Sequence, residues 1–230
     1  MQLSKRMQAI AVMVTEGNVV ADIGTDHSYI PIYLVENKIV PRALAMDINK
    51  GPLERAENHI KEHGLEDYIQ VRLSPGLEKL NEGDADTIII AGMGGLLTVE
   101  ILSEGFSKLK SFKEIILQPQ SDIENVRRFM NLNNFEFVQE EIVKDEGKFY
   151  FIMKAVKGKP SLSEDVELIY GKKLLENRHP VLLEFINKEK EKYENIKRTL
   201  EQNKSDSSIC RLREVDEILK INEMARCYWR

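Results

Sequence analysis

Residues 19–34 read "VVADIGTDHSYIPIYL", and the fold turns on how they are divided. Residues 19–23 are a short apolar run that stops at Gly24, and "YIPIYL" continues as an apolar helix beginning near Ser28. Between them stand Thr25, Asp26, His27 and Ser28. A buried strand that feeds a helix through a glycine turn is the opening unit of a parallel sheet.

The same alternation extends in both directions. Upstream, Leu3, Met7, Ile10, Ala11 and Val14 fall at helical spacing behind a possible Ser4 cap, so a helix is expected over 3–14. Downstream, strands are expected at 43–47, 69–73, 87–91 and 114–117, with helices at 28–35, 53–63, 96–103 and 123–132. Two more strands, 135–144 and 149–156, follow with no helix between them. They are joined by "DEGK", whose Gly147 can take positive φ, so they form a hairpin. Five alternating strands closed by a hairpin are the order of Rossmann-like methyltransferase sheets, whereas dinucleotide dehydrogenases keep a sixth parallel strand.

"KGKPS" at 157–161 reads as a linker, which divides the chain into a domain at 1–157 and an appendage at 158–230. In the appendage Ile186, Tyr193 and Leu200 recur every seven residues with Leu182 and Ile196 between them. Leu212, Val215 and Leu219 follow the "NKSDSS" turn, so an antiparallel coiled-coil hairpin is expected. Its charges balance at 14 Lys or Arg against 14 Asp or Glu from Pro160 onward, which favours a solvated paired-helix module over a DNA-reading basic helix.

Composition narrows the class. With 230 residues, 42% hydrophobic and 31% charged, the chain has enough material for one good core and a small addition. "AIAVMV" is too short to span a bilayer and no cleavage pattern follows Lys5 and Arg6, so a cytoplasmic location is expected. Cys210 and Cys227 lack metal-ligand spacing and are expected to be reduced structural thiols. His59 and His63, four apart on a helix, have no nearby partner in the sequence; surface polarity explains them, and no metal is expected. The net charge of −5 gives no sign of a nucleic-acid partner.

Ligands of open α/β sheets bind at the carboxyl ends of the strands, beside the switch point. "GTDHSY" lacks the three-glycine dinucleotide fingerprint, and Asp26 would repel a pyrophosphate. A ligand with a cationic end and no phosphate, such as S-adenosylmethionine, suits Asp22 and Asp26 better, with Gly24 and Thr25 at the turn. The competing reading is a helix start capped by Thr25, Asp26 or Ser28. Asp47, with Ile48 beside it, ends the second strand 25 residues after Asp22, where a carboxylate can accept both hydroxyls of a ribose. "LSPGL" at 73–77 offers Ser74 and Gly76 to an adenine, although a simple Pro-Gly turn accounts for it as well. "AGMGG" at 91–95 allows a molecule to approach the main chain at Gly92, Met93 and Gly94, against the plainer reading of tight strand-helix packing. Gln118 of "LQPQ" could point at a target base, and His27 could shuttle a proton or orient Asp26. The D/N-P-P-aromatic motif common among exocyclic-amine methyltransferases is missing. An endocyclic nitrogen such as adenine N1 needs no such grip, since its lone pair is already free.

Together "LSKRMQAIA", "DIGTDHSYIPIYL", "AMDIN", "AGMGG", "LQPQ" and "GKFYFI" resemble the bacterial tRNA (adenine(22)-N1)-methyltransferase family, from Leu3 to about Val156. The resemblance implies methyl transfer from S-adenosylmethionine to N1 of an adenine in the tRNA D arm. It assigns cofactor and active-site positions to Asp22, Gly24, Asp26, His27, Asp47 and residues 92–95. It also implies a coiled-coil C-terminal domain, for which Lys172, Lys173, Arg178, Lys197 and Arg198, joined by Lys5 and Arg6, are the candidate RNA clamp; a salt-bridged helix surface is the competing reading. Pro75, Gln120 and Phe151 stand where the family often has an acidic residue, asparagine and glutamate. A monomer is expected. The rival functions are a small-molecule methyltransferase, which would need a lid that no inserted apolar segment supplies, and a nucleotide-sensing module, for which an intact "GMGG" would be unnecessary.

Overall fold

The computed structural model describes residues 1–159, 164–202 and 206–230. The end of the expected linker (160–161) and the start of the "NKSDSS" turn (203–205) lie outside the described residues. The chain divides into two compact units, Met1–Ser161 and Leu162–Arg230.

In the first unit, helix α1 (Lys5–Val12) begins where Ser4 Oγ accepts the Met7 N–H at 3.3 Å. Then follow β1 (Val20–Ile23), α2 (Tyr29–Glu36), β2 (Ala43–Asp47), α3 (Lys50–Glu62), β3 (Ile69–Leu73), β4 (Thr87–Met93) and α4 (Gly95–Glu104). The unit is completed by α5 (Phe106–Leu109), β5 (Glu114–Pro119), α6 (Ile123–Leu132), β6 (Phe135–Asp145) and β7 (Lys148–Lys157). The sheet order is β3-β2-β1-β4-β5-β7-β6. The first five strands are parallel, and β7 inserts antiparallel between β5 and β6. Every residue of β1 and β5 is buried, as expected of central strands covered on both faces. The switch point lies between β1 and β4, where the chain, having built β2 and β3 to one side, crosses to the other.

Most boundaries differ from the sequence reading by a residue or two, and two boundaries and one added helix differ for clear local reasons. Helix α3 starts at Lys50 rather than 53, because Pro52 sits in the first turn, where its missing N–H has no intrahelical partner to lose. Strand β4 runs on to Met93 through a register shift at Gly92, whose φ of +78° bends the strand out of its ladder. Helix α5 has only four residues, too few to show a periodicity.

The second unit contains α7 (Asp165–Tyr170), α8 (Lys172–Glu176), α9 (Pro180–Glu201) and α10 (Asp206–Arg226), then a 3-10 turn at Cys227–Trp229. Gly171, at φ +94°, separates the first two. The long helices run antiparallel: Asn222 Nδ2 donates to the Ile186 carbonyl at 3.0 Å, and Lys197 meets Asp216 at 2.7 Å nearer the turn. Leu182, Ile186, Val215 and Ala225 are buried, while Tyr193, Ile196 and Leu200 are half-buried. Among the described residues no helix is long and apolar enough to cross a membrane.

Candidate active site

A cavity of about 260 Å³ opens at the carboxyl ends of β1 and β4. Asp22, Gly24, Thr25, Asp26, His27 and Gly92 line it, together with Arg6, Met7, Tyr29 and Gln120. The polar cluster of the opening sequence is therefore brought to the switch point.

Each wall has a local cause. Asp22, one residue before the end of β1, is 7% exposed, and burial pushes its carboxyl up to about 6, against the opposing pull of the Thr25 hydrogen bond and the Arg6 charge. Gly24 adopts φ +77°, and a Cβ there would lie 1.9 Å from Met93 Cε, so the Met93 methyl rests on the bare backbone. His27 and Ser28 also take positive φ, 77° and 54°, an unusual pair for residues with side chains. No side chain caps α2, so the capping reading of Thr25, Asp26 and Ser28 is not what the structure shows. The strained turn instead presents His27, which stacks on Tyr29 at 5.3 Å and meets His59 at 5.0 Å. The buried His27 Nδ1 has no hydrogen-bond partner. Asp26 is exposed and accepts Arg55 Nη2 at 2.7 Å and Nε at 3.3 Å through Oδ1 alone.

The "GMGG" glycines divide between the two readings. Gly92 faces the cavity, with nothing within 4 Å of its absent Cβ except the tips of Arg6 at 3.7 Å and Gln120 at 3.8 Å. Gly94 is the N-cap of α4. Gly95 is a packing glycine, because a Cβ there would come within 2.3 Å of the Ser121 carbonyl.

Four sequence expectations change. Gln118 does not point at a substrate: fully buried, its Oε1 accepts Arg6 Nη1 at 2.9 Å and the Gly92 N–H at 3.2 Å, and its amide donates to the Pro119 carbonyl. Ser74 and Gly76 belong to the turn. Ser74 Oγ accepts the Lys79 N–H at 3.1 Å and donates to the Gly76 carbonyl at 3.2 Å, while Gly76 sits against Ile101. His59 is part of the rim rather than plain surface, its Nδ1 lying 3.1 Å from the His27 carbonyl, whereas His63 pairs with Glu36. Arg6 lies in the cavity wall, not on an outer clamp. Its signal was hidden: helical spacing places Met7 on the buried side, but nothing in the spacing brings Arg6 to Gln118, 112 positions on.

Asp47 and Ile48 lie outside the cavity at the end of β2. Asp47 Oδ1 accepts the Asn49 N–H at 2.7 Å, and Ile48 is exposed. Among the described residues no group of three or more His, Cys, Asp or Glu could hold a metal.

The seven-stranded sheet with its antiparallel β7, and a cavity at the switch point, is a Rossmann-like methyltransferase fold. The chain belongs to the methyltransferase-domain family, whose model matches residues 3–153. Within that class it belongs to the tRNA (adenine(22)-N(1))-methyltransferases: it is 32% identical over 229 residues to the protein of that name from Bacillus subtilis strain 168, covering 96% of each. A Streptococcus pneumoniae protein whose crystal structure holds S-adenosyl-L-methionine superposes with a TM-score of 0.82 at 34% identity, over 95% of this chain and 100% of that one. M. capricolum TrmK in complex with S-adenosyl-homocysteine superposes with a TM-score of 0.87 at 26% identity, over the whole of both chains.

Proposed function

We infer that this chain transfers a methyl group from S-adenosylmethionine to N1 of the adenine at tRNA position 22, acting as a monomer in the cytoplasm. The observation that carries the reading is the cavity itself: a buried carboxylate, Asp22, with no salt bridge to any described residue, beside backbone at Gly24 and Gly92. The donor supplies an electrophilic methyl on a sulfonium. Asp22 holds its cationic amino end, because a carboxylate raised by burial is relieved when a cation comes to lie against it. Asp47 takes the ribose hydroxyls through the oxygen that Asn49 leaves free. Gly24 and Gly92 let the ligand lie against main chain, with Thr25 and Met93 as neighbouring wall.

Adenine N1 attacks with its own lone pair, so no base is required before transfer, and positioning supplies much of the rate. Positive charge builds on the ring as the new bond forms. Asp26 stabilises that charge, and the stacked His27 and Tyr29 give the purine a face to rest on. Extracting a base from a structured tRNA costs roughly a few kcal/mol, which contacts elsewhere must offset. The helical unit is the proposed source of those contacts.

Incubation of the full chain with tritiated S-adenosylmethionine and unmodified tRNA, followed by mapping of the labelled nucleotide, tests this function. Label at the N1 position of adenine 22 is the expected outcome; label in small metabolites only, or donor binding without transfer, overturns it.

A further inference from the structure

The turn that carries Asp26 and His27 is held from outside its own segment. His27 and Ser28 are consecutive non-glycine residues with φ of +77° and +54°, backbone that side chains disfavour and that persists only where neighbours impose it. The entry to the turn is tied to β2, since the Gly24 and Thr25 N–H groups both donate to the Met46 carbonyl, at 2.7 and 2.9 Å. Its middle is tied to α3. Leu53, Ala56 and Ile60 are buried beneath that helix, and Arg55 and His59, one helical turn apart on another face, reach the turn together. His59 Nδ1 lies 3.1 Å from the His27 carbonyl. A carbonyl only accepts, so Nδ1 carries the proton in that bond. Arg55 donates through Nη2 and Nε to Asp26 Oδ1, and His27 Nε2 lies 3.6 Å from the same oxygen, so Oδ2 is left without a partner among the described residues. Because His59 grips main chain, the His27 ring keeps its stack on Tyr29.

Building on the methyl-transfer reading, we propose that His59 and Arg55 are positioning residues. His59 braces the left-handed turn through the His27 carbonyl, and Arg55 orients Asp26 so that Oδ2 stays free for the substrate base. Neither lines the cavity wall itself, so both act through the turn. Their removal costs rate rather than donor affinity, because a misplacement of about 1 Å at a reacting group lowers a rate by about 100-fold.

The test is methylation kinetics of the full chain on unmodified tRNA for wild type, His59→Leu, His59→Asn and Arg55→Met. S-adenosylhomocysteine affinity by calorimetry and hydrogen exchange over residues 24–34 accompany it. His59→Leu should lower kcat roughly 10- to 100-fold while keeping S-adenosylhomocysteine affinity within about threefold. The Gly24, Thr25 and Ile32 amides, bonded to Met46 and Ser28 in the braced turn, should exchange about tenfold faster in that variant. His59→Asn, which places an amide N–H near the position of Nδ1–H, should recover kcat and exchange to within about threefold of wild type. Arg55→Met should lower kcat about tenfold with ligand affinity kept. Thermal melts confirm folding, and His59→Gln, whose donor sits one bond further out, replaces His59→Leu if that variant does not fold. Undiminished kcat and exchange in His59→Leu would overturn the brace. His59→Asn as impaired as His59→Leu would also overturn it, assigning the effect to ring packing. Undiminished kcat in Arg55→Met would overturn the role of Arg55, and parallel losses of kcat and ligand affinity would make both residues mere supports of the cavity. Wild type that put no label at adenine 22 would overturn the transfer reading alone, since exchange still decides whether His59 braces the turn.

Discussion

The helical unit and the Asp22–Arg6 part of the cavity hold charge differently, while elsewhere the sheet unit has matched pairs of its own, such as Asp26 with Arg55 and Glu140 with Arg127. In the helical unit cations are matched: Lys172 to Glu167 at 3.3 Å, Lys173 to Glu176 at 3.3 Å, Lys190 to Glu223 at 3.4 Å and Lys197 to Asp216 at 2.7 Å. In the sheet unit the cavity holds Asp22 and Arg6 without a salt bridge to any described residue: Asp22 has the Thr25 hydrogen bond and Arg6 the Gln118 oxygen. The paired charges are exposed or half-exposed and contribute little each. Asp22 is held against a desolvation cost that the Thr25 hydrogen bond and the Arg6 charge offset only in part. Charge left unmatched in a concave, partly buried place marks a site, whereas a larger number of matched charges on a helix marks a surface.

The largest expected effect tests that contrast at Asp22. Asp22→Asn should weaken S-adenosylhomocysteine binding by about 100-fold while stabilising the ligand-free protein. The folded chain holds this proton more tightly than the unfolded one, with a carboxyl near 6 against 3.8. Wild-type stability therefore falls as pH rises from about 4 to about 6 and stays lower above. The variant should be more stable by about 2–3 kcal/mol at pH 7.5 and almost unchanged near pH 4. Denaturant melts at the two pH values measure this; equal stability at pH 7.5 would mean the carboxylate is already compensated.

Gly24→Ala comes next. Its φ of +77° disfavours any Cβ by about 1 kcal/mol, and the added atom meets Met93 on the cavity floor, so ligand affinity should fall at least about tenfold. Asp26→Ala should keep ligand affinity within about threefold and lose most turnover if, as proposed above, this exposed carboxylate acts on the substrate base. Equal loss of both would make it a binding residue. Removing residues 158–230 should weaken tRNA binding and spare S-adenosylhomocysteine binding; unchanged tRNA affinity would remove the clamp. The smallest effect belongs to the matched surface: Lys197→Ala should change stability by less than about 0.5–1 kcal/mol.

Much of this was legible in the sequence because strands and turns announce themselves locally. The runs 43–47 and 69–73 match β2 and β3 residue for residue, and "DEGK" turns at Gly147 with φ +80°. The cluster from Asp22 to His27 was visible because one strand end and one helix start carry it. What stayed hidden depends on contacts distant in sequence. Arg6 reaches the cavity only because α1 packs beside β6 and β7. Gln118 looked aimed outward until the Gly92 N–H and the Arg6 guanidinium claimed its oxygen. Nothing in "GMGG" could say that Gly92 lines the cavity while Gly95 packs against a carbonyl. Ser74 resembled an adenine contact because a polar residue at a strand end looks the same whether it serves a ligand or its own turn.

The most direct measurement is S-adenosylhomocysteine binding by wild type across pH 5 to 7, followed by calorimetry in buffers of differing ionisation enthalpy. If Asp22 receives the amino-acid end in its ionised form, affinity should be level near pH 7 and fall toward tenfold per pH unit below about pH 6, with a proton released on binding. In Asp22→Asn that dependence should vanish. Affinity independent of pH in wild type, with no proton released, would contradict the account.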